Sequence, residues 1–379
     1  MAGHLMSAVT TRNSKAQLQK NLIMLLGEKP RELQARLKRL RDRKVILLGR
    51  GFARKAHERF KEAGIMNIWL QDFTKLDKKF IAANRSALFV YGHMHEKPTF
   101  DQVAHTLQGS KAVLICFQQL YSLYPDVFLP YCYVTAPSEL LKHRGDLLRV
   151  FSLLNDRKSR QTFIEHLMVR LLRIPMIDSR LIVKDTYFSD GIVAHDQDAI
   201  FYDCGAFDGD SVFNFIAHCG QKFKRIVAFE PDPGNFSRLR ETVAAWPHKL
   251  SKKIKLVNRA LADWAGKAGF STDGLASSRM DESAMGSVIT TTLDEFALNE
   301  KPTFIKFDIE GAERLALLGA RKLLGKVKPA LAVCVYHRPE DLWQLPLLIK
   351  SFNPGYRFYL RASNGYGDEL VIYAVNFCG

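Results

Sequence analysis

Short apolar runs alternate with amphipathic stretches along most of the chain, and this alternation predicts an α/β architecture. Four runs in the first half have the length and composition of buried strands, at residues 44–49, 67–71, 87–91 and 112–116. A helix is predicted from about Ala53 to Ala63, between the first two runs. Uniformly apolar strands separated by helices are typical of a parallel sheet that is covered on both faces.

The second half repeats this alternation with sharper boundaries. Its predicted core strands are residues 199–203, 225–229, 254–257, 303–307 and 330–335. The clearest helix is predicted at 310–324, and the Ser/Gly-rich stretch 268–292 predicts a hairpin insertion before the fourth core strand. The tail predicts a closing antiparallel pair at 357–360 and 370–375, separated by Asn364-Gly365.

The apolar period becomes helical between the two strand-rich halves, which divides the chain into domains. The predicted segments are an N-terminal helical segment at 1–40, a Rossmann-like domain at 41–136, a helical connector at 137–174 and a second Rossmann-like domain at 175–379. The predicted fold class is therefore α/β, with two doubly wound domains.

Composition excludes several classes of protein, and charge separates the halves. Apolar residues make up 47% and charged residues 25%, as in globular proteins, and no apolar run reaches the roughly 20 residues of a membrane helix. Six widely spaced cysteines and no secretory signal favour a reduced, cytoplasmic protein. The net charge of +16 lies entirely within residues 1–174, where a basic surface can attract anionic partners or simply form solvated helix faces.

A glycine-bearing loop follows the first strand of the second half, where a backbone can approach a nucleotide ligand closely. Asp203 and Asp208 flank the loop and would repel a pyrophosphate. A cationic ligand fits better, and S-adenosylmethionine carries a sulfonium and an ammonium group. The next strand ends at Glu230, whose carboxylate can accept hydrogen bonds from both ribose hydroxyls. The candidate cofactor-binding residues here are Asp203, Gly205, Ala206, Asp208, Gly209, Ser211, Glu230 and Pro231.

Two further strand ends carry candidate catalytic residues. Asp308 ends the fourth core strand and His337 follows the fifth, so both are expected at the carboxyl edge of the sheet. Either residue could remove a proton as a general base. Alternatively, Asp308 and Glu310 could hold Mg²⁺, although we favour a reaction without metal. Glu313 is expected mainly to stabilise a helix N-terminus.

Four ordered motifs resemble the FkbM family of S-adenosylmethionine-dependent methyltransferases. They are Asp-Cys-Gly-Ala-Phe-Asp-Gly-Asp at 203–210, Phe-Glu-Pro-Asp-Pro at 229–233, Thr-Leu-Asp at 292–294 and Ile-Lys-Phe-Asp-Ile-Glu-Gly-Ala-Glu at 305–313. The resemblance implies a class I methyltransferase fold and methyl transfer to a hydroxyl of a sugar or a polyketide-like natural product. It also implies adenine contacts near Ala260 and Leu261, and Ser211 stands where many members carry Thr.

Two alternatives remain open. The basic first half could indicate methylation of nucleic acid, but no aromatic-interleaved basic motif supports this. The chain could also be a non-catalytic nucleotide-binding or scaffold protein, because Gly49-Arg-Gly51 forms a partial dinucleotide fingerprint with Arg54 at the third glycine position. The expected partner is a small-molecule or glycan acceptor, and the chain could form a homo-oligomer.

Overall fold

The computed structural model places most of the chain in two compact units. It describes residues 15–27, 39–92, 98–128, 133–172, 177–189, 191–193, 196–220, 222–271, 279–280, 286–297, 300–365 and 367–376. The first unit comprises residues 1–144 and 164–177, and the second comprises 145–163 and 178–379. The amphipathic stretch at 30–40 lies largely outside the described residues. None of the described helices is long and apolar enough to cross a membrane.

The first unit is built on a four-stranded parallel sheet with the order β2-β1-β3-β4. Its strands are β1 (Val45–Leu48), β2 (Ile68–Gln71), β3 (Leu88–Tyr91) and β4 (Val113–Cys116), which confirms the four predicted strands to within two residues at each end. The helices are α1 (Lys15–Leu26), α2 (Gly51–Glu62), α3 (Lys78–Ala83), α4 (Phe100–Thr106), α5 (Phe117–Leu123), α6 (Pro125–Phe128) and α7 (Pro137–Lys142).

The partial fingerprint of the first unit occupies the turn after β1. Gly49 has a φ of 120°, a backbone conformation that favours glycine. Arg50 pairs with Asp72 at 3.1 Å, and the same carboxylate accepts a hydrogen bond from the Thr74 amide at 2.9 Å. The acid at the end of β2 is therefore engaged by neighbouring residues of its own unit.

The helical stretch that follows is divided between the units. Helix α8 (Arg144–Leu153) lies almost entirely in the second unit, whereas α9 (Arg157–Leu172) begins in the second unit and ends in the first. The segment predicted as a connector thus supplies residues to both units.

The second unit is built on a seven-stranded sheet with the order β14-β15-β13-β12-β5-β6-β7. Its strands are β5 (Ile200–Cys204), β6 (Arg225–Phe229), β7 (Ile254–Val257), β12 (Phe304–Phe307), β13 (Ala330–Cys334), β14 (Arg357–Ala362) and β15 (Leu370–Val375). All neighbours are parallel except β15, which is antiparallel to both β13 and β14. The predicted core strands and the closing antiparallel pair are confirmed.

Successive connections run outward in opposite directions from β5 and β12, which are neighbours in the sheet. Such a switch point opens a crevice at the carboxyl ends of the strands. The helices on the faces are α10 (Asp210–Cys219), α11 (Pro233–Ala244), α12 (His248–Ser251), α13 (Leu293–Phe296) and α16 (Asp341–Phe352). Buried rings hold the sheet to α10, because Phe201 stacks on both Phe215 at 4.5 Å and Phe304 at 5.4 Å.

A second, small sheet corresponds to the predicted insertion. It has the order β10-β9-β11-β8, with β8 (Ala260–Leu261), β9 (Gly266–Ser271), β10 (Arg279–Met280) and β11 (Gly286–Thr291). Strands β9 and β11 are antiparallel, as a hairpin requires, whereas β8 and β11 are parallel. The rest of the predicted insertion, 272–278 and 281–285, lies outside the described residues.

The single helix predicted at 310–324 is wrong, because two short helices occupy this stretch. They are α14 (Glu313–Leu318) and α15 (Arg321–Lys326). Glu310 and Gly311 have φ values of 54° and 92°, so a right-handed helix cannot begin before them. Gly319 lies between the two helices, where its backbone packs so closely on Ala262 that an added Cβ would lie 2.0 Å from the Ala262 carbonyl oxygen.

A partly buried ion pair fixes the start of α9 to strand β14 within the second unit. Arg361 contacts Asp156 at 2.6 Å and donates to the Ser159 hydroxyl at 2.9 Å. That hydroxyl in turn accepts a hydrogen bond from the Leu360 amide at 2.9 Å. Burial alone would raise the pKa of Asp156, but Arg361 and Ser159 outweigh it and lower the pKa.

We predict that Asp156→Ala destabilises the protein, because Arg361, only 10% exposed, loses its carboxylate partner. Asp156 is itself 34% exposed, so the loss should be about 1–3 kcal/mol rather than the full cost of breaking a buried pair. Glu241→Ala removes an exposed acid of the same unit and should change stability by less than about 0.5 kcal/mol. Denaturant unfolding followed by circular dichroism measures both variants. Equal losses of stability in the two variants would contradict a stabilising role of the Asp156–Arg361 pair.

Candidate functional site

The ends of β5, β6 and β12 border one cavity of the second unit, with a volume of about 450 Å³. It lies beside the switch point of the seven-stranded sheet, where the sequence predicts a ligand site. Residues that line it come from the loop after β5, the end of β6, strand β8, the turn after β12 and the segment before β5. The site is therefore assembled from elements distant in sequence.

The loop after β5 is held close to the neighbouring strands. The amides of Gly205 and Ala206 both donate to the carbonyl of Phe229 at 3.0 Å. Gly205 has a φ of 91°, and an added Cβ would lie 1.8 Å from the carbonyl oxygen of Asp308. Gly209, with a φ of 99°, precedes helix α10 as its N-cap. Only glycine fits at position 205, because the turn after β12 occupies the space of a side chain.

Glu230 reaches across this loop from the end of β6. One of its oxygens accepts a hydrogen bond from the Phe207 amide and the other from the Asp232 amide, both at 2.9 Å. Its carbonyl accepts from Asn258 Nδ2 at 2.8 Å, which fixes the strand end. Burial raises the pKa of Glu230 to about 7, although the two amides oppose the shift. A buried carboxyl group thus borders the cavity with its backbone partners already in place.

A buried ion pair lies beneath the loop. Lys306 of β12 is 2% exposed and its Nζ lies 3.0 Å from an oxygen of Asp203, which is fully buried on β5. The ammonium also donates to the Gly205 carbonyl at 2.5 Å and lies 3.9 Å from Asp308. Burial alone would lower the pKa of Lys306, but Asp203 and Asp308 outweigh it and raise the pKa. Lys306 therefore carries a positive charge that joins the loop to the acid after β12.

Asp308 is the acid that the site presents most directly. Its side chain is 23% exposed and lines the cavity, and its Oδ2 accepts a hydrogen bond from the Tyr187 hydroxyl at 2.6 Å. Burial alone would raise the pKa of Asp308, but Lys306, His337 and Tyr187 outweigh it and hold the pKa well below its usual range. Asp308 is therefore an ionised carboxylate at neutral pH.

His337 lies between two carboxylates. Its Nδ1 is 2.8 Å from Glu313 Oε1 and its Nε2 is 3.3 Å from Asp308 Oδ1, and the side chain is only 4% exposed. The same Glu313 oxygen accepts a hydrogen bond from the Ile309 amide at 2.9 Å. Burial alone would lower the pKa of His337, but Glu313 and Asp308 outweigh it and raise the pKa well above its usual value. The imidazole is thus held in its protonated form in this arrangement.

The structure brings most of the sequence-predicted residues together but gives them different positions. Those that line the cavity are Gly205, Glu230, Pro231, Ala260, Leu261, Asp308 and Glu310. Those that do not line it are Asp203, Ala206, Asp208, Gly209, Ser211 and His337. Among the latter, Ser211 donates to Asp203 from the first turn of α10, so its hydroxyl serves the buried pair.

Other residues of the site are missing from the sequence prediction. Cavity-lining side chains not singled out include Lys184, Asp185, Tyr187, Phe207, Asp210, Lys306, Tyr336 and Glu369. Lys306 lies within a quoted motif, but it alternates with apolar strand residues and gives no signal of its pairing. Glu313 was expected mainly to stabilise a helix N-terminus, but its carboxylate also contacts His337. These contacts join residues that are distant in the sequence, so they are visible only in the structure.

The cavity is chemically suited to a cation. Six carboxylate side chains line it against three cationic ones, and one of the three, Lys306, is already paired with Asp203. The apolar side chains Phe229, Pro231, Ala260, Leu261 and Phe270 form another part of the lining. A ligand with a flat apolar group, hydroxyl groups and a positive charge matches these features.

Comparisons with known proteins agree with this architecture. Residues 203–366 match the sequence model of the Methyltransferase FkbM domain. The chain is similar to the crystal structure of methyltransferase FkbM from Methylobacillus flagellatus KT, with 20% identity and a TM-score of 0.73 over 95% of this chain and 100% of that chain. A comparison with curated protein sequences finds no match.

Two more distant structures cover about half of the chain. An rRNA methylase from Streptococcus thermophilus has 13% identity and a TM-score of 0.30 over 48% of this chain and 89% of that chain. A precorrin-6y C5,15-methyltransferase from Geobacter metallireducens GS-15 has 11% identity and a TM-score of 0.32 over 53% of this chain and 97% of that chain. The predicted resemblance to the FkbM methyltransferase domain is thus confirmed over residues 203–366, and the first structure confirms the predicted class I methyltransferase fold.

We predict that Gly205→Ala is far more damaging than Gly220→Ala. Both glycines have positive φ values, but an added Cβ at Gly220 meets nothing within 4 Å. Gly220→Ala should therefore cost only the conformational term of about 1–2 kcal/mol. Gly205→Ala adds a collision with the Asp308 carbonyl and should cost about 3 kcal/mol or more. Unfolding curves of the two variants measure the difference, and similar losses would mean that the close approach is not tight.

Proposed function

We propose that this chain, whose residues 203–366 match the Methyltransferase FkbM domain, transfers a methyl group from S-adenosylmethionine to a hydroxyl of a sugar, glycan or natural-product acceptor. The observation that carries this proposal is the convergence of Gly205, Glu230 and Asp308 on one cavity. These residues come from three neighbouring strand ends, and each supplies a different part of the chemistry.

The cofactor end of the cavity contains Glu230. Its carboxylate, fixed by two backbone amides, is suited to accept hydrogen bonds from the ribose hydroxyls. Pro231, Ala260 and Leu261 supply apolar surface beside it for the adenine ring. The Gly205 loop leaves space for the methionine portion, whose sulfonium and ammonium charges suit a cavity in which carboxylates outnumber cations.

The reacting end contains Asp308. In the proposed step the acceptor oxygen forms a bond to the methyl carbon, and the electron pair of the carbon–sulfur bond returns to sulfur. The sulfonium thereby becomes the neutral thioether of S-adenosylhomocysteine, and the hydroxyl proton passes to the Asp308 carboxylate. Asp308 is ionised and reaches the cavity, so it can also orient the hydroxyl before transfer.

His337 is proposed as a positioning residue rather than a base. Carboxylates lie at both of its nitrogens and raise its pKa, so it has no free proton-accepting position in this arrangement. It connects Glu313 to Asp308 and thereby fixes the orientation of the acid in the cavity. Tyr187, which precedes β5 in the chain, donates a hydrogen bond to the other Asp308 oxygen.

The charge of the cavity favours a sugar or natural product over nucleic acid. A phosphate backbone would approach a lining in which carboxylates predominate, and the excess basic charge of the chain lies in residues 1–174.

Turnover distinguishes the proposed enzyme from a non-catalytic sensor, because a sensor would bind S-adenosylmethionine without transferring its methyl group. The test incubates the full chain with methyl-labelled S-adenosylmethionine and a panel of glycan fragments, hydroxylated natural products, RNA and DNA.

We predict that Asp308→Asn slows methyl transfer to the acceptor found in this panel by about 10²–10⁴-fold. The amide keeps the size of the side chain but cannot take the proton, so cofactor affinity should change little by comparison. Asp263→Asn, an exposed change in the same unit, serves as the control and should keep the wild-type rate. Full activity of Asp308→Asn would remove the proposed base, and label transfer only to nucleic acid would contradict the acceptor class.

We also predict that cofactor affinity falls as the pH drops below about 7. The pKa of Glu230 is raised to about 7, so the side chain is an accepting carboxylate above this pH and a protonated acid below it. Affinity should therefore be full at higher pH and decrease by about tenfold per unit below the pKa. Calorimetry with S-adenosylmethionine and S-adenosylhomocysteine from about pH 5.5 to about pH 8 measures this dependence.

Two variants make the pH measurement specific. Glu230→Gln should bind more weakly at neutral pH and lose this component of the dependence, because the amide does not titrate. Glu241→Gln changes an exposed acid of the second unit and should follow the wild type. Wild-type affinity of Glu230→Gln at every pH would exclude Glu230 as the ribose ligand.

A further inference from the structure

The charge of the cavity suits the cationic groups of S-adenosylmethionine but not its carboxylate. The methionine portion of this cofactor carries a carboxylate next to its ammonium group, and the carboxylates that line the cavity would repel it. A carboxylate is bound in proteins by cationic side chains or by free backbone amides. The lining residues must therefore supply one of these donors for the complete cofactor to bind.

Backbone amides of the loop after β5 are already used within the protein. The amides of Gly205 and Ala206 both donate to the Phe229 carbonyl at 3.0 Å. The Phe207 amide donates to the Glu230 carboxylate at 2.9 Å. A glycine-bearing loop before a helix often offers its amides to an anion, but these three are not available for one.

Cationic side chains are the remaining donors of matching charge. Those that line the cavity are Lys184, Arg259 and Lys306. The ammonium of Lys306 is buried and paired with Asp203 at 3.0 Å, so it belongs to the floor of the cavity. Lys184 and Arg259 are exposed and form no ion pair with any residue that the structure describes. The choice is therefore between these two.

Arg259 lies on the side of the cavity where the nucleoside portion of the cofactor is expected. It follows Asn258, whose side chain donates to the Glu230 carbonyl at 2.8 Å, and it precedes Ala260. Strand β7, which ends just before it, is the last strand of the seven-stranded sheet on this side. Arg259 is thus placed beside the ribose and the adenine rather than beside the methionine portion.

Lys184 lies on the other side of β5. The segment that carries it is tied to β14 and β15, because the Val183 amide donates to the Ala362 carbonyl at 2.9 Å and the Tyr373 hydroxyl donates to the Thr186 carbonyl at 2.6 Å. Strands β14 and β15 are at the opposite edge of the sheet from β7. A cofactor with its ribose at the end of β6 and its adenine beside β8 extends its methionine portion towards this side.

We propose that Lys184 binds the carboxylate of S-adenosylmethionine and thereby selects ligands that carry the complete methionine portion. Its ammonium is a point charge on a flexible stem, so it can reach a carboxylate at the open edge of the cavity without a fixed backbone cradle. The inference rests on the proposed function for the identity of the cofactor. It concerns binding, however, and is measured without methyl transfer.

The test compares two ligands that differ in one group. S-adenosylhomocysteine has the carboxylate, whereas decarboxylated S-adenosylhomocysteine keeps the ammonium group and lacks the carboxylate. Calorimetry with the full chain at low ionic strength, where an exposed ion pair is least screened, measures the affinity for both. Lys184→Met should weaken the binding of S-adenosylhomocysteine by about tenfold, as expected for the loss of a hydrogen bond between charged groups. The same variant should bind the decarboxylated ligand as tightly as the wild type or more tightly, because a positive charge has been removed near a cationic ligand.

Matched variants make the comparison specific to Lys184. Lys184→Arg keeps the charge and should keep the wild-type preference for S-adenosylhomocysteine. Arg259→Met removes the other exposed cation of the lining and should not discriminate between the two ligands. Lys322→Met changes an exposed lysine of the same unit that does not line the cavity, so it should bind both ligands like the wild type. Discrimination lost in Arg259→Met but kept in Lys184→Met would overturn the proposal.

The remaining outcomes separate this inference from the proposed function. Wild-type affinity of Lys184→Met for S-adenosylhomocysteine would contradict the carboxylate contact and leave the proposed function intact. Equal losses for both ligands in Lys184→Met would show an effect on the shape of the cavity and would also overturn the proposal. A wild-type chain that binds neither ligand would remove the proposed function together with this inference.

Discussion

The buried ammonium of Lys306 is the interaction on which the site depends. It lies on β12 but contacts Asp203 on β5, the carbonyl of Gly205 and, at 3.9 Å, Asp308. Two adjacent strands of the switch point are thereby joined where their loops diverge. A buried ion pair contributes little net stability, yet removing one partner leaves an uncompensated charge, so such a pair can fix a geometry. Here it holds the floor of the cavity and the acid at its edge in one arrangement.

Carboxylates outnumber cations in the lining of the cavity. Lys306 is already paired with Asp203, so few cationic side chains remain to balance the carboxylates that line the cavity. Asp308 stays ionised because Lys306, His337 and Tyr187 surround it, whereas burial raises the pKa of Glu230 to about 7. The two carboxyl groups, at the ends of strands β6 and β12 on either side of β5, thus have different proton affinities. Near neutral pH the protonation of Glu230 therefore changes, whereas Asp308 stays a carboxylate that can accept a hydrogen bond from the acceptor hydroxyl.

Strand positions could be predicted from sequence because uniformly apolar runs such as 225–229 leave few alternatives. The four motifs likewise predicted the domain that matches residues 203–366. The break in the helix predicted at 310–324 could not be predicted, because Asp294 from another part of the chain binds the Gly319 carbonyl and the amides of Lys322 and Leu323 at this break. The site was predicted where a residue follows a strand, as at Glu230 and Asp308. The sequence did not predict the side-chain contacts that join different elements of the site. These are the contacts of Lys306 with Asp203, Tyr187 with Asp308, and Glu313 with His337.

A crystal structure of the full chain soaked or grown with S-adenosylhomocysteine tests the central claim most directly. The account predicts the ribose hydroxyls on the Glu230 carboxylate, the adenine against Ala260 and Leu261, and the sulfur facing Asp308 across the cavity. Density for the cofactor at another place, or a fully saturated crystal in which Glu230 contacts no ribose oxygen, would contradict it.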